Sequence, residues 1–312
     1  MNTEKPLIRL YRTRTFGEKM ADTFDFVREN WRPMLKYFTY LLLPLALVQN
    51  FVSDSFMTGY DALFSGLDRG DIGAVMSWLV STGVMLLFYF VATLLATALT
   101  YTMMQLYEQR PERLAGITFA DLRPGVMRMA VRQLVLWGTG IIIIAVMGVV
   151  LFLTTMVSRA LLPVVVLLLI CLLPLFVLVS PIYLFENTGV VKAYMKSFRL
   201  GWKTWAGIVA VCLVLYLLLA IVQGVVSGPF YVMVALKGIF STQNAEPAFA
   251  SSFGYTALQY VLGVVSVFCG SCIETVLLLG VAYQYGHACD KEDGVTVDRD
   301  IENFETLNTA ER

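Results

Sequence analysis

Long uncharged apolar runs interrupt this chain, and the segments between them divide its 23 Lys and Arg residues very unevenly. Eight lie in the N-terminal stretch to Lys36, one before Met76, five between Tyr107 and Arg132, and one at Arg159. Four more run from Lys192 to Lys203, one is Lys237, and three follow Gly286. Alternate segments therefore hold 20 against 3. Short loops rich in Lys and Arg stay in the cytoplasm, so the alternation predicts an all-α polytopic membrane bundle with both termini inside.

Composition agrees, because 58% hydrophobic residues, 15% charged residues and a mean hydropathy of +0.71 leave more apolar surface than a water-soluble fold of 312 residues can hide. The formal net charge of zero conceals a polarity along the chain, with basic residues before and between the runs and an acidic tail from Asp290 to Glu311. Basic residues that flank spans act as topology signals and headgroup contacts, so no nucleic-acid partner is expected.

A hydrocarbon core takes roughly 20 apolar residues to cross as a helix. On that measure six transmembrane helices fall near Leu35–Val52, Trp78–Leu106, Gln133–Val157, Leu161–Phe185, Trp205–Ser227 and Ala257–Tyr285. Pro44 predicts a kink in the short first span. Few residues, around Arg159 and Pro163, separate spans three and four, which predicts a tight hairpin. Gly228-Pro229 reads as the end of span five. The organisation expected is a cytoplasmic N-terminal segment over 1–34, a six-helix membrane domain over 35–285, and an acidic cytoplasmic tail over 286–312. No short apolar leader with a small-residue cleavage site precedes span one, so that span is expected to act as its own insertion signal. Cys171, Cys212, Cys269, Cys272 and Cys289 lie in spans or near the tail and form no disulfide framework.

A shift of 174 positions superposes Phe24 on Phe198, Trp31 on Trp205 and Gln49 on Gln223, each in a segment that leads into a span. A third segment, Phe119 to Arg132, has the same placement with weaker side-chain agreement. The pattern suggests three units of interfacial helix plus hairpin. Over Val190–Trp205, Lys192, Lys196, Arg199 and Lys203 recur at helical spacing in one sector, while Val191, Tyr194, Phe198, Trp202 and Trp205 lie on another face. Such an amphipathic helix suits the cytoplasmic headgroup layer, with rings toward the acyl chains and cations toward anionic phosphates. Lys192, Lys196, Arg199, Lys203, Trp202 and Trp205 are the candidate lipid contacts. Met20, Phe24, Val27 and Trp31 make a similar stripe. These helices would equally serve as topology anchors.

The runs FENTGVVKAYMKSFRLGWKTW (Phe185 to Trp205), FGEKMADTFDFVRENWRPML (Phe16 to Leu35) and YQYGHACDKEDGVTVDRDIENF (Tyr283 to Phe304) resemble a group of uncharacterised bacterial multi-pass proteins. That group is similar to the membrane domain fused to some glycerophosphodiester phosphodiesterases. The resemblance implies a six-helix inner-membrane domain near phospholipids or envelope maintenance. It does not imply phosphodiesterase chemistry, because the catalytic part of those fusions is a separate soluble barrel with several His and acidic residues.

No catalytic, metal or cofactor constellation is expected. His287 stands alone and reads as a solvated interfacial side chain. Cys269 and Cys272 form a CxxC inside an apolar helix, with no second pair to complete a zinc site, and read as packing residues. Asp54, Asp61, Asp68 and Asp71 give the first outer loop a negative face at spacings that match no calcium loop, and Arg69-Gly70-Asp71 reads as a turn. Glu274 is the exception to blandness, because uncharged residues run from Pro247 to Ile273 before it and from Thr275 to Cys289 after it. A carboxylate there must be protonated, paired or facing water. Gln49, Gln105, Gln223 and Gln259 are candidates for a polar interior, and Glu186 for capping the next helix or pairing with Lys192. Gly224 and Gly228 are spaced for a close helix contact. The expectation is a non-enzymatic membrane component that meets anionic phospholipid, a partner protein or a second copy of itself. The alternative is a transporter of a lipid or small solute that uses Glu274. A membrane enzyme ranks last.

Overall fold

The computed structural model describes residues 7–67, 71–242 and 252–296. Among these there is no strand. The helices are α1 (Phe16–Leu67), α2 (Ile72–Gln109), α3 (Phe119–Val157), α4 (Leu162–Val177), α5 (Val179–Phe185), α6 (Val190–Lys203), α7 (Trp205–Thr242) and α8 (Phe253–Asp293), with a 3-10 turn at Arg159–Leu161. Six stretches are long and apolar enough to cross a membrane: Phe16–Ser53, Ile72–Gln109, Phe119–Val157, Arg159–Phe185, Trp205–Lys237 and Phe253–Asp293. The chain is an all-α integral membrane protein of six spans. Side chains such as Ile141, Ile144, Phe152, Leu167 and Ile170 on α3 and α4 point outward, an arrangement that water would penalise and lipid does not.

Several helices run past the limits that the sequence predicts. The helix α7 continues through Gly228-Pro229 to Thr242, and α1, with Pro33 in the first turn after a break at Asn30, passes Pro44 and reaches Leu67. Lipid offers backbone groups no other partner, so a proline there bends a helix more readily than it ends one. Asp54 and Asp61 accordingly stand on α1 rather than in a loop, while Asp68, Arg69 and Gly70 lie outside the described residues. Asp71 caps α2 by accepting the N–H groups of Gly73 at 2.9 Å and Ala74 at 3.3 Å. The expected boundaries after residues 34 and 285 fall inside α1 and α8. Span four is broken instead at Leu178, between α4 and α5. Pro181 lacks the N–H that would bond the Val177 carbonyl four residues back.

Two compact units compose the chain. One comprises Met1–Trp31, Ala98–Leu215 and Val276–Arg312, the other Arg32–Thr97 and Tyr216–Thr275. In the first, three segments that begin at Phe16, Phe119 and Val190 bury side chains at the same steps: Lys19, Thr23, Phe26 and Asn30; Leu122, Val126, Met129 and Gln133; Ala193, Ser197, Leu200 and Thr204. The spacing of four, three and four keeps one side of each helix inward. The three turn Phe24, Met127 and Phe198 outward at one equivalent position, and Trp31, Leu134 and Trp205 at another.

Their ends and starts also correspond. The backbone leaves helical geometry at Asn30 (φ −111°, ψ 16°) and at Thr204 (φ −113°, ψ 20°). In each case the side chain donates to the carbonyl four residues back, Asn30 to Phe26 at 2.9 Å and Thr204 to Leu200 at 2.8 Å. Such back-bonding competes with the regular ladder. In α3 the corresponding Gln133 accepts instead from the Ser180 hydroxyl, and the helix runs unbroken into span three. At the starts, the N–H and hydroxyl of Thr15 both donate to Glu18, and those of Thr118 both donate to Asp121. Gly189 and Lys192 hold those places in α6.

An N-terminal arm, residues 7–15, completes this unit. Leu10 is buried, and its N–H donates to Glu108 at the end of α2. Arg14 has no exposed side-chain surface, pairs with Asp22 at 2.6 Å, and lies 4.8 Å from the centre of the Tyr283 ring. Its N–H donates to Nδ1 of His287 at 3.0 Å. His287 is thus half-buried and engaged, a correction to the solvated role expected of it. Gly286 allows this contact, since a Cβ there would lie 2.0 Å from the Leu10 carbonyl oxygen. Gly286→Ala should therefore displace the arm and cost about 1–3 kcal/mol, read as a lowered unfolding temperature and faster proteolysis before Thr15. Unchanged proteolysis would refute the docking.

Candidate functional site

The helix α6 carries three adjacent stripes. Ala193, Ser197, Leu200 and Gly201 are buried. A Cβ on Gly201 would lie 3.1 Å from the Leu175 Cα, so its absence brings α6 close to α4. The Ser197 hydroxyl donates to the Leu175 carbonyl, and the Trp205 indole to that of Cys171 at 2.9 Å. One step round the axis, Val191, Met195, Phe198 and Trp202 are exposed, with Trp202 at 73%. Tyr194 departs from the exposed aromatic face predicted for it. It is half-buried, 3.2 Å from the Thr139 hydroxyl and edge-on to Phe176.

The basic stripe lies between these two, and most of it is paired within the chain. Lys196 bonds Glu186 at 2.7 Å and Asp293 at 3.2 Å, Arg199 bonds Asp293 at 2.6 Å, and Lys203 bonds Glu292 at 2.5 Å. Lys192 is exposed and has no ion-pair partner among the described residues. Glu186 therefore pairs with Lys196, one turn beyond the Lys192 that the sequence suggests. It also accepts the Tyr285 hydroxyl at 2.6 Å, and Tyr285 lies 3.0 Å from the Tyr11 hydroxyl and stacks on Phe185. This network joins the N-terminal arm, the end of α5, α6 and the end of α8. Burial alone would lower the Lys196 pKa, but its bonds to Glu186 and Asp293 outweigh that and raise it. Burial pushes the Tyr11 hydroxyl up to about 12.

The intramembrane candidates separate. In the second unit, Gln223 donates to the Ser227 hydroxyl at 2.6 Å and to the Ser266 carbonyl at 3.1 Å. Glu274 is half-buried on α8 and faces Thr93. Gln49 is half-buried, but its neighbour Asn50 makes the interhelical contact, to the Tyr260 carbonyl at 3.1 Å. Gln105 accepts from Arg128 at 2.8 Å. A Cβ at Gly224 or Gly228 would meet no described atom within 4 Å, so neither supports a close contact here. All five cysteines are free thiols.

Sequence reasoning missed Arg132, whose guanidinium caps the end of α5 by donating to the carbonyls of Tyr183, Glu186 and Thr188. The orphan carbonyls left where a short helix ends at Phe185 are the signal that would have pointed to it.

Lys196→Met leaves the half-buried Glu186 and Asp293 without their shared cation and should destabilise by about 1–3 kcal/mol, whereas Lys192→Gln should stay within about 0.5 kcal/mol. Thermal unfolding in detergent separates the two. Both raised pKa values mean that the folded state holds its protons more tightly. Their stabilisation is thus complete below pH 10 and declines as pH rises toward 12. An alkaline unfolding series that shows no such decline would contradict the network. Comparison of the chain with family models, curated proteins and solved structures gives no match.

Proposed function

We propose that this protein is a non-enzymatic component of a bacterial cytoplasmic membrane, with both termini in the cytoplasm, that holds anionic phospholipid at that surface. A second copy or a partner protein bound there would use the same helices. The observation that carries this reading is the exposed apolar and aromatic stripe of α6 beside Lys192, a side-chain set suited to an amphipathic helix in the headgroup layer. Equivalent outward positions carry Phe24 and Trp31 on α1 and Met127 and Leu134 on α3, which multiplies the contacts without requiring a tight single pocket. The resemblance of Phe185–Trp205 to uncharacterised bacterial multi-pass proteins, which implies a membrane domain near phospholipids or envelope maintenance, supports the same reading.

Because Glu186, Glu292 and Asp293 already neutralise Lys196, Arg199 and Lys203, the lipid contribution of the four cations should be unequal. Native mass spectrometry of the protein released gently from its membrane should show retained anionic phospholipid. That retention should fall by about tenfold in a Lys192→Gln, Trp202→Ala double variant, the effect of roughly 1.4 kcal/mol. Equal retention by wild type and variant would reduce α6 to a topology anchor. Transport of a lipid or small solute is the second reading, favoured by the half-buried carboxyl of Glu274 within a span. Proton-coupled uptake abolished in Glu274→Gln would support it.

A further inference from the structure

The second unit holds a carboxyl on which no charged group among the described residues acts. Glu274 is half-buried in α8, and Thr93 of α2 is the polar side chain that bears on it. Ser266, Gly270 and Glu274 recur every four residues and share one side of α8. On that side α7 presents Gln223, whose amide nitrogen bonds the Ser227 hydroxyl and the Ser266 carbonyl. A carbonyl only accepts, so the network fixes which end of the amide is nitrogen. The two serine hydroxyls lie 2.6 Å apart and bond each other, and the Gln223 oxygen is left buried without a donor. A Cβ on Gly270, one turn from Glu274, would lie 3.6 Å from that oxygen. The Thr93 hydroxyl is likewise buried, facing Glu274 but short of a formed hydrogen bond.

A buried amide oxygen without a donor therefore lies one turn from an acid that Thr93 faces and that has no counter-cation among the described residues, inside a span where bare charge and unmet polar groups are both costly. We propose that Glu274, Thr93 and the Gln223 amide oxygen form an intramembrane site for one monovalent cation, a proton or a sodium ion. As a proton site, the Glu274 O–H donates to the Thr93 or the Gln223 oxygen. As a sodium site, carboxylate, amide and hydroxyl oxygens supply the hard ligands that such an ion prefers. A divalent ion fits less well, because no group of three His, Cys, Asp or Glu side chains exists among the described residues, and one carboxylate would leave net positive charge in the hydrocarbon. The other titratable groups nearby on α8 are the thiols of Cys269 and Cys272. The proposal stands apart from the lipid-surface reading, which involves none of these residues.

The test is adduct formation by a hydrophobic carbodiimide, which adds to a protonated carboxyl in apolar surroundings, on the full-length protein in liposomes. The Glu274 peptide is read by mass spectrometry. Labelling should be absent in Glu274→Gln and should fall by about tenfold per pH unit above the midpoint of the site. Sodium added at fixed pH should protect if the site takes the metal ion, and should have no effect if it takes the proton alone. Thr93→Val, a near-isosteric change, should shift the midpoint, and so should Gln223→Leu. Labelling that depends on neither pH nor sodium would identify a permanently neutral packing carboxyl and overturn the proposal. No labelling of Glu274 at any pH would overturn it as well.

Discussion

Hydrocarbon offers a backbone N–H or C=O no partner, and this constraint governs the fold more than any single contact. It carries α7 through Pro229 and α1 through Pro44. Where helices break, end or meet, side chains also bond backbone carbonyls. Asn30 and Thr204 turn back onto their own helices, Arg132 covers the end of α5, and Trp205 and Ser197 bond carbonyls of α4.

The spans were legible because hydropathy and charge distribution report directly on the cost of placing a residue in lipid. The repeat was legible in three side chains and clear only as a burial register. The third copy shares with the others which steps face inward, and not which residues stand there: Leu122 corresponds to Lys19 and to Ala193. Identity is a poor guide when the constraint is a face. The N-terminal arm was hidden for a related reason. Residues 7–15 fall within what the sequence marks only as a polar, basic cytoplasmic N-terminal segment, yet Arg14 is enclosed because Asp22, three backbone carbonyls and a tyrosine ring meet it together. No window of sequence contains Gly286 and Leu10 at once.

The basic face of α6 teaches the same lesson about charge. Periodicity correctly predicts that Lys192, Lys196, Arg199 and Lys203 share a sector, and says nothing of what they meet. The end of α8 brings Glu292 and Asp293 against three of them. Arg199 and Lys203 remain more than half exposed, so their pairs contribute little individually. Lys196 is more enclosed, and its place in a network with Glu186, Tyr285 and Tyr11 gives it a structural role that a surface lysine lacks.

The helix breaks at Asn30 and Thr204, together with the unbroken α3, have a mechanical consequence. A bilayer that thins or thickens changes the tilt of the helices that cross it. At Asn30 and Thr204 one residue's dihedrals can absorb that change. At Gln133 the helix is continuous, so α3 tilts as one piece. Two of the three copies thus have a joint before the following segment and one has none, so a change of tilt in α3 is carried by a single continuous helix to its inward-facing residues Leu122, Val126 and Met129.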